Sequence, residues 1–200
     1  GGTLTSTGAI TLTAGTFTTN NYAVTASSLS SSNSNTRTIN LGSSTVTLNA
    51  NGAVVNFSPN TGLTFNAGTS TIIGTNLSAT WIGGATGAQG VTFYNISSTT
   101  TTASVCGVQG INTFNNITVS APSTAGVVQF YFTDSQTING TLSTSGTAGN
   151  RRVWFRSQTY GIAQTLTINN APSLTDADFR DIYVKGTAAP ISGTRIGDLR

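Results

Sequence analysis

The chain has 200 residues, of which only 13 are charged, and it contains no His, no Met and no Glu. Without imidazole the usual general base at neutral pH is missing, and one Cys with no His cannot build a soft-ligand metal site within one chain. The composition therefore offers no catalytic constellation, and no catalytic, cofactor-binding or metal residue is assigned.

Thr, Ser, Asn and Gly supply 39, 23, 19 and 23 residues, just over half the chain. Leu, Ile, Val and Phe together reach 46 residues, above the roughly one in five that marks disordered chains, so a fold with a thin, dispersed core is expected. Every apolar run is broken well short of the roughly 18 residues a membrane span needs, so no membrane insertion is expected. The isoelectric point near 9.4 reflects scarce acids rather than abundant bases. Arg37 is the single charge in residues 1–133, and the other twelve lie in 134–200. That distribution lacks the clustered basic field a phosphate backbone requires, so no nucleic-acid partner is expected. It divides the chain into a neutral Thr/Ser/Asn-rich shaft (1–133) and a charged C-terminal β region (134–200). The start at Gly1-Gly2, without Met or a signal-peptide pattern, and the abrupt stop at Arg200 read as a truncated piece of a longer polypeptide.

In chain order, period-two alternation dominates the shaft. Ile10/Leu12, Ile39/Leu41, Val46/Leu48, Val55/Phe57 and Leu63/Phe65 each alternate with polar or small residues, mostly Thr and Asn, which predicts half-buried strands. Gly15, Gly42, Asn51-Gly52, Gly62, Gly68 and Gly74 punctuate them as turns. No apolar stripe has helical spacing, so the chain reads as all-β. Ile10–Thr16 is echoed by Leu63–Thr69, and Phe93-Tyr94-Asn95-Ile96 by Phe114-Asn115-Asn116-Ile117. Ile96, Ile117 and Ile138 are spaced by 21, and Val46 and Leu63 by 17. Repeats of roughly 20 residues suit the coils of a parallel β-helix or β-solenoid, each too small to bury its apolar face alone. Regular short strands also fit a β-sandwich, which stands as the alternative. Trp81-Ile82 beside Gly83-Gly84 reads as a core anchor at a turn. Cys106 reads as a small buried strand residue, and Phe130 and Phe132 enter the core with Tyr131 facing out.

The strand Arg151–Arg156 places Arg152, Trp154 and Arg156 on one face and Val153 and Phe155 on the other. A Trp between two guanidiniums could stack and hydrogen-bond a glycan. Intramolecular cation–π packing or a subunit contact, with Arg paired to a nearby Asp, is the favoured reading of the same pattern. Asp176, Asp178 and Asp181 could ligate Ca²⁺, or Asp178 with Asp181 could serve as a glycosidase pair. The spacing lacks the Gly-rich nonapeptide of calcium-binding β-rolls and the twelve-residue loop of an EF-hand, and ion pairing with Arg180 within the domain is favoured. Possible glycan or subunit contacts are therefore Arg152, Trp154, Arg156, Asp178, Arg180 and Asp181.

Four segments occur in order: Arg152–Ser157, Leu174–Ile182, Gly186-Thr187-Ala188 and Ser192–Asp198. Together with Asn33–Ser43 and Thr71-Ile72-Ile73, they resemble the repetitive Thr/Asn/Gly-rich virion proteins of tailed bacteriophages, of the tail-fibre or appendage type. The resemblance implies a structural or adhesive role, extracellular and on the virion, with self-association as a homotrimer or filament and host-surface glycans as candidate partners. It assigns no catalytic residue, and the chain is expected not to be an enzyme. A bacterial surface adhesin or extracellular filament subunit is the alternative, with a polysaccharide depolymerase less favoured.

Overall fold

Alternating Thr/apolar segments of four or so residues cannot hide their apolar side alone, so they do so by stacking. The computed structural model describes residues 1–76, 80–83, 87, 89–100, 102–146 and 148–199. It shows a parallel β-solenoid of about seven turns, with no helix among the described residues. Described strands form a ten-stranded, a nine-stranded and a three-stranded sheet, and every pairing is parallel and runs from coil to coil. This is the solenoid expected from the repeats, not two face-packed antiparallel sheets.

In the N-terminal half each coil gives one strand to each sheet. Ile10–Thr11 enters the nine-stranded sheet, Gly15–Thr18 the three-stranded and Val24–Ala26 the ten-stranded. Leu29–Ser30, Arg37–Asn40 and Thr45–Leu48 repeat the circuit one coil on. In Gln89–Ser98 and Ile111–Val119 two walls merge into one long strand. Ile111–Val119 pairs with Gln136–Ile138 through Thr113 and Phe114, and with Leu142–Thr144 through Ile117 to Val119. The merger has a visible local cause. Phe114 and Ile117 both face the core, while Asn115 and Asn116 between them are half-buried. Two consecutive outward residues shift the period-two alternation by one and turn a corner within the strand. Phe93-Tyr94-Asn95-Ile96 does the same one coil earlier, in register.

Equivalent residues lie on top of one another, so the core is a set of columns. One runs Val24, Val46, Ile72, Ile96, Ile117 and Leu142. A second stacks Phe65, Phe93 and Phe114 with ring centroids 5.3 and 5.4 Å apart. A third places Phe130, Phe155 and Phe179 at 6.0 and 5.3 Å, with Cys106 on the next rung. Trp81 is fully buried edge-on to Phe130 at 6.1 Å, and Ile82 is buried beside it. Gly84, part of the same expected turn, lies outside the described residues.

The coils are not of one length. Register partners are 20 residues apart at Leu4/Val24, 26 at Val46/Ile72, 21 at Ile96/Ile117, 30 at Ile138/Ile168 and 18 at Leu166/Val184. Of the spacings read from sequence, Ile96 to Ile117 is a true coil. Ile117 stacks on Leu142, however, while Ile138 stacks on Phe114. Leu63 pairs with Arg37 and not with Val46, and the similar segments at Ile10 and Leu63 belong to different sheets. Stacking follows what each position buries, and loops of unequal length absorb the difference.

Arg37, the lone charge of the shaft, is 1 % exposed. Its guanidinium donates to Ser31 Oγ at 2.6 Å and to the carbonyls of Ser31, Asn35, Pro59 and Thr61 at 2.6–2.9 Å. A planar donor fork is thus used to tie loop carbonyls of successive coils together, with no carboxylate among these acceptors. Asp134 plays the reciprocal part. Its carboxylate accepts from the amides of Gly87 and Gly110 at 2.6 and 2.9 Å and from the Thr133 hydroxyl at 2.6 Å.

Candidate functional site: an arginine–aromatic face

The outer surface of the nine-stranded sheet changes character along the shaft. Its early outward positions are Thr11, Ser30 and Asn56. From strand Gly126–Phe132 on they become aromatic and charged. In Arg151–Ser157 the side chains of Val153 and Phe155 are fully buried, whereas Arg152 and Trp154 are half-buried on the outer face, as alternation requires. Register then sets the columns: Val127 beside Arg152, Gln129 beside Trp154 beside Asp178, and Tyr131 beside Arg156 beside Arg180.

The last column is a staircase of rings and guanidiniums. Tyr131 faces outward as expected, yet it is only 6 % exposed. It lies flat over Gly107, where a Cβ would come within 2.6 Å of its ring. The Arg156 guanidinium sits 5.6 Å from the Tyr131 ring and 5.5 Å from the Tyr160 ring. Arg180 packs on Tyr160 at 3.6 Å. Arg156 is further fixed by bonds to Gln129 Oε1 at 2.9 Å and to the carbonyls of Ser157 and Gln158 at 2.9 and 3.2 Å. Cation–π contacts of this kind are each worth about 0.5–2 kcal/mol depending on exposure. Tyr160 itself is 64 % exposed.

The first column ends in a charged latch. Arg152 makes a two-pronged bond to Asp178, both contacts at 2.6 Å, and donates to the Arg195 carbonyl at 2.8 Å. Arg195 grips Asp176 in the same way at 2.6 and 2.7 Å, and Arg152 lies 3.6 Å from Asp176. Asp176 is fully buried and adopts a φ of 56°, a left-handed conformation that Asp enters more readily than most residues. Gly146 leaves room for it, since a Cβ there would lie 2.6 Å from the Asp176 Cβ. Hydrogen bonding from Arg195 holds the Asp176 carboxyl below the usual range, and Asp178 raises the Arg152 guanidinium further.

The structure thus joins Arg152 to Asp178 and Arg156 to Arg180, with Trp154 between them. It does not join Asp178 to Asp181. The Asp181 carboxylate accepts from the Gly161 amide at 3.0 Å and lies 3.8 Å from Arg180. The expected pairing of Arg180 with an Asp is therefore present with Asp181, while its closest packing is on Tyr160. With Asp176 and Asp178 engaged by guanidiniums, no group of three metal-ligating residues occurs among the described residues. Sequence reasoning missed Asp176 as the buried centre of the latch, and also Arg195 and Tyr160. Their positions follow from coil stacking, and only the left-handed turn residues near them carry any local signal. The Cys106 thiol is buried and pushed up to about 12, as befits an inert core residue.

Comparison with known proteins finds no matching family model, no similar curated protein and no similar solved structure. The functional reading therefore rests on the geometry.

Proposed function

We propose that this chain is a rigid segment of an extracellular appendage, structural and adhesive in role, of the tail-fibre type carried on a phage virion. The observation that supports this best is the unbroken coil-to-coil ladder, in which every described strand finds a parallel partner around continuous apolar columns. About seven turns at ~4.8 Å per rung make a stiff element ~34 Å long. Its neutral hydroxyl and amide surface stays hydrated without the like-charge repulsion that stacked identical residues would create. The role is mechanical rather than enzymatic, with self-association into a trimer or filament and contact with a neighbouring subunit or a host glycan at the arginine–aromatic face. Because Arg152 and Arg156 already bond to Asp178 and Gln129, that face is pre-ordered and offers Trp154 on a fixed frame.

Electron microscopy with light scattering tests the reading: rods or trimeric fibres are expected. A monodisperse monomer that releases reducing ends from host polysaccharide would overturn it, and loss of that release in Asp178→Asn would place the activity at this face.

A further inference from the structure

The corner where the chain passes from the nine-stranded to the ten-stranded sheet is turned by two residues after Ser104–Val108 and by three after Gly126–Phe132. It takes six after Arg151–Ser157, and Asp181 alone, with φ 53°, after Ala177–Arg180. The six-residue turn, 158–163, therefore stands out from its shorter neighbours, and all of its residues are exposed. It carries Tyr160 and Ile162. At 64 % and 57 % exposure these stand with Tyr183, at 58 %, as the most exposed large apolar side chains among the described residues. Asp181 gathers the three at one corner. Its carboxylate accepts from the Gly161 amide and its carbonyl from the Gln164 amide, both at 3.0 Å, and Tyr183 follows two residues on.

The same corner is electropositive. Tyr160 packs on Arg180 at 3.6 Å and on Arg156 at 5.5 Å, and the Lys185 ammonium sits 5.3 Å from the Tyr183 ring. Among the described residues no carboxylate lies within 4 Å of Arg156 or Lys185, so Asp181, 3.8 Å from Arg180, is set against three cations. Arg152, Arg156 and Arg195 spend their donors on Asp178, Gln129 and Asp176. Arg180 differs: its Nε and Nη2 make no hydrogen bond among the described residues. Its charge is therefore weakly compensated, and an anion held nearby would relieve that cost. The chain's other acids are engaged elsewhere. Asp134 accepts backbone amides, Asp176 and Asp178 are gripped by guanidiniums, and Asp198 has a contact of its own. A second copy of this chain thus brings no spare carboxylate to this corner.

We infer that this corner binds an acidic polysaccharide, one bearing carboxylate or sulfate groups, with Tyr160 and Tyr183 as platforms for sugar rings and Arg180 and Lys185 as the source of charge recognition. The inference rests on the adhesive part of the function proposed above and names its ligand class. Exposed phenol rings offer a flat apolar face beside a hydroxyl, which suits a pyranose ring, and the arginine staircase beneath Tyr160 holds that ring on a fixed frame. From Asp181 to Lys185 the strand runs about 13 Å, so an extended chain of several sugars meets both tyrosines and the lysine. Nucleic acid is the competing polyanion, but three cations on an otherwise neutral rod fall short of the basic field that a phosphate backbone requires.

The test is affinity electrophoresis and titration calorimetry of the full chain against polygalacturonate, heparin, neutral dextran and single-stranded oligothymidylate at low and moderate salt. Salt-sensitive binding to either acidic polysaccharide, with none to dextran, is expected, and the probe that binds identifies the acidic group. Tyr160→Ser/Tyr183→Ser should weaken it by roughly tenfold or more, and Lys185→Gln by about threefold. Tyr22→Ser, which removes an exposed ring at the other end of the rod, should leave it unchanged. Circular dichroism and melting of each variant separate lost binding from lost fold, and Tyr183→Ser alone, which leaves the Arg156–Tyr160–Arg180 packing in place, serves if the double variant melts early. Equal binding of dextran, tighter binding of oligothymidylate, or full binding by the tyrosine variants overturns the inference. So does a change of oligomeric state in those variants without wild-type binding to either acidic probe, which would make the corner a subunit contact. Rods seen by electron microscopy that bind no acidic probe sink this inference and leave the structural role standing; a monomer that binds one does the reverse.

Discussion

Phe155→Ala would probe the claim that stacked core columns hold the coils together. Phe155 is fully buried and contacts Phe130 at 6.0 Å, Phe132 at 6.3 Å and Phe179 at 5.3 Å. Its neighbours are fixed by ladders on both sides, Phe130 on one rung and Phe179 on the next, so they cannot collapse into the space left behind. A Phe→Ala change at such a site costs roughly 3–5 kcal/mol, with the upper half of the range expected when relaxation is blocked. About 4 kcal/mol is a large share of the 5–15 kcal/mol typical of a domain. With a guanidinium slope of about 4 kcal/mol per molar, the midpoint should fall by about 1 M. In a solenoid each coil touches only its neighbours, so the damage should be local. Guanidinium titration of single-Trp variants provides the assay. Trp154, next to the lesion, should report the full shift, and Trp81, which meets Phe155 only through the Phe130 ring, a smaller one. A midpoint shift under 0.3 M, or coincident shifts at both probes, would refute the column argument.

Three further outcomes are expected. Replacing Arg37 by Met should cost about 2–4 kcal/mol in chemical denaturation, because several loop carbonyls lose their donor, and Arg37→Lys should recover little since an ammonium cannot reproduce the fork. Asp176 has a lowered carboxyl pKa in the folded state, so its contribution is present above the ordinary carboxylate value near 3.9 and is lost as pH falls through the folded value. Melting temperatures of wild type and Asp176→Asn should accordingly differ at pH 7 and converge in acid; a constant gap down to pH 2 would show that the latch is not electrostatic. The Cys106 thiol, pushed up to about 12 and buried, should not react with a disulfide reagent at pH 8 until denaturant is added, and rapid labelling of the native protein would contradict its placement.

Much of this architecture was legible as pattern. Alternation put Val153 and Phe155 inward and Arg152 and Trp154 outward, and it separated Phe130 and Phe132 from Tyr131, because a strand's two faces follow from period two alone. The doubled Phe-x-x-Ile motif at Phe93 and Phe114 marked a real coil because it encodes both the inward anchors and the corner between them. The second step of the apparent 21-residue series failed, since Ile138 stacks on Phe114 instead of Ile117. Of the candidate site, the Arg152–Trp154–Arg156 strand was visible, but its partners were not. Asp176 reaches Arg195 across 19 residues and Arg152 reaches Asp178 across 26, through loops with no fixed length.

What the residues determined by themselves is the class of structure. Scarce charge, abundant Thr and Asn, and short alternating runs permit a thin core only if coils stack, and they exclude chemistry that needs imidazole. The tertiary structure decided register, and register decided everything that depends on neighbours in space. It turned Arg37 from an isolated charge into a buried clamp and Asp176 into the centre of a latch. It also aligned scattered Thr residues into outward columns, such as Thr5, Thr25 and Thr47. The reason is that in a parallel solenoid each side chain's nearest neighbours lie one coil away, 18 to 30 residues along the chain, and that distance is set by loops whose length the alternating pattern does not constrain.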